Sequence, residues 1–160
     1  MKGNPFNRNL SWLIAYVLLL SCYVFILVDG GFLKNSVQEL EVLLGQTPLA
    51  IKLFLMVISI AFSIISLLVE YFLSKFLVLL FLEAGIVSLN DVVIAKSVTL
   101  VIHLVALLLK LSPSPLFQFV VNALGIVIMY GLSIKRQGNK ATALLFCLPF
   151  TLDILVALLL

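Results

Sequence analysis

Three sets of polar residues in an otherwise apolar chain could carry chemistry. The first is a stripe: Lys52, Ser59, Ser63, Ser66, Glu70 and Ser74, at steps of three, four and seven. That spacing holds all six on one helical face. Small hydroxyls let a neighbouring backbone approach closely and can bond across the contact. Ser59, Ser63 and Ser66 are therefore expected to form a helix-packing or partner face.

The second set is His103, Asn122 and Asp153. Each lies eleven or twelve residues from the inner end of its own apolar run, ~17 Å deep at 1.5 Å per residue. Polar groups at that depth are costly and usually turn inward. A buried Asp needs a partner, and His103 or Asn122 could serve. The trio reads either as a proton or ligand site or as a structural cluster that fixes helix packing. The third set is Glu70 and Lys96, which share a depth near the inner boundary. They form either an ion pair or two separate side chains snorkelling to headgroups.

Other chemistry finds little support. A single His excludes a multi-histidine metal site. No G-x-S-x-G, H-E-x-x-H, C-x-x-C or phosphate-loop pattern occurs. Ser63, His103 and Asp153 make a Ser/His/Asp set on paper, but serines in membrane helices are usually packing residues. No catalytic residue, metal or cofactor is expected, and the reading is not an enzyme. No filter-like sequence or ring of charges suggests a channel. Cys22 and Cys147 fall inside apolar runs and read as small hydrophobes.

The elements that must position these residues are membrane helices. The chain is 64% hydrophobic and 11% charged, with a mean hydropathy of +1.31. A soluble domain carries about 25% charged residues. The small net charge of +3 does not suggest nucleic acid as a partner. The expected architecture is all-α, one membrane domain over 1–160 built from five transmembrane helices. Their spans are about 10–28, 49–70 with an extension to 82, 92–109, 116–134 and 141–160. Each is near the ~20 residues a bilayer needs. The first run follows Lys2 and Arg8 and reads as a retained helix, not a signal peptide. Met1 to Asn9, with Pro5 and three asparagines, reads as an irregular lead. The polar stretch after Asp29-Gly30-Gly31 reads as a short interfacial helix or an ordered loop. Helix continued from Pro48 to Leu82 would be ~50 Å long, beyond the ~30 Å hydrocarbon core. Its end is expected to project or to bend along the surface. Counting basic residues on each side places the N-terminus and the Lys135–Lys140 loop inside, the C-terminus outside.

One resemblance is available. Ser112-Pro113-Ser114-Pro115-Leu116-Phe117 leads into Asn122-Ala123-Leu124-Gly125. Tyr130-Gly131-Leu132-Ser133 and the basic loop at Lys135 follow. With five spans and short connections, this layout resembles the Yip family of five-span membrane proteins, Rab-interacting or bacterial. The resemblance implies a non-enzymatic accessory or scaffold subunit. In bacterial members that means working beside an ABC-type exporter in antimicrobial-peptide export or self-protection. It implies the bilayer and other membrane subunits as partners, allows a homo-oligomer, and points to a bacterial cytoplasmic membrane. The competing reading is a small transporter or ion-translocating protein using the mid-membrane polar cluster.

Overall fold

The computed structural model describes residues 5–82, 87–111 and 114–159. These form six helices: α1 Pro5–Asp29, α2 Lys34–Leu44, α3 Pro48–Phe81, α4 Leu89–Leu108, α5 Pro115–Gln137 and α6 Lys140–Leu159. No strand occurs among the described residues. Four of the helices, α1, α3, α4 and α5, are long and apolar enough to cross a membrane. The all-helical fold thus fits a membrane protein.

Local chemistry explains most boundaries. Thr47 and Ser114 cap α3 and α5, accepting from the amides of Ala50 at 3.4 Å and Phe117 at 3.2 Å. Pro48 and Pro115 follow at first-turn positions, where a missing amide costs nothing. Gly45 and Gly138 close α2 and α5 in the left-handed conformation, at φ 61° and 68°, which glycine adopts without a Cβ penalty.

Several expectations need correction. Pro5–Asn9 is not an irregular lead: α1 begins at Pro5, whose ring suits a helix start. Met1–Asn4 lie outside the described residues. Of the two readings of the polar stretch after Gly31, helix or loop, the structure has the helix, the eleven residues of α2. The third span starts at Leu89, which draws Asn90 and Asp91 into the first turn of α4. The basic loop shrinks to Gly138 and Asn139, because Lys135 and Arg136 belong to the last turn of α5. Cations there complement the helix dipole. The fifth expected span corresponds to α6, and Leu160 lies outside the described residues. So do Glu83–Ile86 and two residues of the Ser-Pro turn, Ser112 and Pro113.

The five long helices pack in an order unlike their sequence order. The principal contacts run α1 to α4, α4 to α5, α5 to α6, α6 to α3, and α3 back to α1. This closes a ring, with α2 resting on α3. Two ion pairs fix which ends lie together. Lys52 meets Asp29 at 2.7 Å, joining the start of α3 to the end of α1. Arg136 meets Asp91 at 2.7 Å, joining the end of α5 to the start of α4. One end of the ring is therefore the α2 side and the other the basic side. The core includes Leu67 and Val78 of α3, Val92, Val93 and Ala95 of α4, Met129, Phe146 and Phe150, with α1 along much of its length. Apart from α1, those residues fill the half of the ring toward the basic side. The site borders this core, and Leu67, Ala95, Met129 and Phe150 belong to both.

Candidate functional site

Lys96 of α4 is the residue on which the candidate site converges. It sits two turns into α4, and its ammonium lies 3.0 Å from Glu70 Oε2 on α3. α3 and α4 are not neighbours in the ring, so this ion pair crosses its interior. Ser66, one turn before Glu70, donates a 3.2 Å hydrogen bond to Glu70 Oε1. Oε1 of Glu70 is thus hydrogen-bonded, whereas Oε2 faces the ammonium without a hydrogen bond. A charge pair taken out of water holds best with good geometry and further hydrogen bonds, and here only Oε1 has one. The Lys96 ammonium also lies 5.5 Å from the centroid of the Phe150 ring, within cation–π range.

Three adjoining cavities meet at Lys96. The largest is lined by Tyr16, Tyr23, Ser63, Thr99, His103 and Asn122, among others. The second is bounded by Ser63, Ser66, Glu70 and Asp153. The third lies between α4, α5 and α6, with Thr99, Asn122, Gly125, Phe150 and Asp153 in its wall. Counting the space at their mouths, they hold about 680, 490 and 470 Å³. The part within reach of a water-sized sphere is about 270, 220 and 70 Å³, and a water needs ~10–15 Å³ of such space, so each admits water. Together they form a partly open vestibule around Lys96, which reaches the exposed Phe62 of α3 on one side.

The sequence-derived residues distribute as follows. Glu70 and Lys96 form the ion pair described above. His103, Asn122 and Asp153 all line the vestibule, but not as one bonded trio. His103 Nδ1 lies 2.8 Å from the carbonyl of Thr99 on its own helix. Its ring makes edge contacts with Tyr23 and Phe117. Asp153 makes no hydrogen bond or ion pair among the described residues, and its side chain is exposed to the open space. Within the serine stripe, Ser63 and Ser66 line the vestibule and Ser59 is half-buried. The Ser63 hydroxyl turns back to the Ser59 carbonyl at 2.8 Å. The most deeply buried member of the stripe is Ser74, fully enclosed near the basic end.

Sequence reasoning missed two features. Tyr16 and Tyr23 face the vestibule from α1, and their spacing of seven was the available signal. Asp91, only 1% exposed, pairs with Arg136 from 45 residues away. Nothing local announces that pair. No family model matches the chain, and no curated protein or solved structure does either.

Proposed function

We propose that this chain is a small membrane protein that binds a polar or ionic solute in its vestibule and moves it across the bilayer. The observation that carries this reading is Lys96, ion-paired to Glu70 across the ring and lining all three cavities. Ionisable residues within membrane helices are expensive, and they mark ion or substrate pathways more often than packing sites. An ion pair serving packing alone would be better enclosed by apolar side chains than set beside open space. In this reading α6 is the fifth span. The basic side, with Lys75, Lys135, Arg136 and Lys140, faces the cytoplasm of a bacterial cell.

One observation favours a second reading, an accessory subunit of a larger membrane complex such as an ABC-type exporter. α3 runs 34 residues and is the least enclosed of the four candidate spans, 6% buried against 22–44% for the others. Its outward face, with Phe62, Ile65, Val69, Phe72 and Phe76 exposed, is a surface a partner helix could cover.

Flux in proteoliposomes tests the first reading. Ion leak, followed with pH- and cation-sensitive dyes, should exceed that of empty vesicles. Lys96→Met should reduce it at least tenfold. Wild-type flux equal to that of empty vesicles would withdraw the transport reading. A membrane subunit co-purifying in mild detergent would then support the second.

A further inference from the structure

The vestibule is not neutral. Its walls hold one ammonium, Lys96, and two carboxylates, Glu70 and Asp153. Lys96 is committed to Glu70 at 3.0 Å. Asp153 has no partner among the described residues, although it stands on a helix otherwise rich in Leu, Phe and Val. A carboxylate there calls for a positive charge.

The surroundings suit a cation. Thr99 donates its hydroxyl proton to the Lys96 carbonyl at 2.9 Å, which leaves the lone pairs of Oγ1 available as an acceptor. Asn122 adds a carboxamide, whose oxygen is an acceptor, to the same wall. Phe150 adds an aromatic ring. The charge count sets the valence, since two carboxylates less one ammonium leave one negative charge. No cluster of three or more His, Cys, Asp or Glu occurs among the described residues, so the set is poor for a divalent metal.

We infer that the vestibule seats one small monovalent cation against Asp153, with Lys96 as the built-in competitor for that carboxylate. This rests on reading the vestibule as a binding chamber. Lys96 lines the same two cavities as Asp153. When Glu70 holds the ammonium, Asp153 is open to the cation. When Lys96 turns to Asp153, the cation is expelled. One lysine shared between two carboxylates thus gives binding and release without a second bound ion.

The test uses the full chain in phosphatidylcholine nanodiscs at fixed pH. Ionic strength is held with N-methylglucamine chloride while Na⁺, K⁺ or methylammonium is titrated. At least one cation should raise the unfolding temperature with saturation, as expected of a ligand that binds the folded state. Asp153→Asn, confirmed folded by size exclusion, should abolish the response. Glu70→Gln should weaken it about tenfold, because the freed Lys96 turns to Asp153. Glu70→Gln/Lys96→Met removes the internal pair without stranding a charge. It should respond at lower concentrations than wild type. A folded Asp153→Asn that still responds, or a double variant that does not, overturns the cation site. Stabilisation by phosphate or chloride that needs Lys96 would also overturn it, while leaving solute binding intact. Silence toward every ion, with flux retained in proteoliposomes, would overturn the cation site alone.

Discussion

Lys96 was legible as a charge inside an apolar run, and Glu70 as a member of a regular stripe. Matched depth, which helix rise gives from residue counts, allowed a pair but equally allowed two side chains snorkelling to headgroups. Asp91 and Arg136 were not legible in this way. Each stood beside an expected turn, where charges usually meet water. The fold instead buries Asp91 in the first turn of α4 and brings Arg136 to it at 2.7 Å. One oxygen of Asp91 takes that bond, and the other is buried with no hydrogen bond. Removing the guanidinium should therefore cost more than removing the carboxylate charge. Arg136→Met strands a buried anion, and breaking such a pair typically costs ~3–5 kcal/mol. Arg136 is half-exposed, so a loss near about 3 kcal/mol is expected, with Asp91→Asn milder. Reversible unfolding in mixed micelles checks the order. Equal stability of Arg136→Met and wild type would mean that the pair holds nothing together.

At the scale of elements, the all-helical class was plain from hydropathy, and Pro48 and Pro115 marked two starts by their chemistry. The fate of residues 34–44 was not, because mixed Glu, Leu and Val suit a helix or a loop alike. Contact between helices was expected from the small residues Ser59, Ser63 and Ser66, and nothing in that expectation pointed to Gly125. The α4–α5 contact is close at Gly125. A Cβ built there would lie 2.6 Å from Thr99 Cγ2. Gly125→Ala should therefore destabilise the bundle by ~1–3 kcal/mol, the usual cost of overpacking, despite alanine's better helix propensity. Thr99→Ser removes the clashing methyl and keeps the hydroxyl. The double variant should recover most of the loss, read as thermal midpoints of the four proteins. Strict additivity would place the clash elsewhere.

For the whole molecule, the polar faces told which sides turn inward but not which helices are neighbours. Apolar helices of similar length look alike from outside, so sequence order was the only guide. The ring departs from it: α3 and α4 are consecutive in the chain, yet they meet across the interior through Glu70 and Lys96. That departure creates the vestibule, and water within it is the central claim. Thiol accessibility tests it most directly. In a Cys22→Ser background, which removes the exposed native thiol, single cysteines replace Asn122 in the vestibule wall and Val127 on the exposed apolar face of α5. The protein sits in sealed vesicles, and a water-soluble, membrane-impermeant maleimide is added to either side. Asn122→Cys should label at least tenfold faster than Val127→Cys. Equal, slow labelling at both positions would mean a dry interior and would contradict the vestibule.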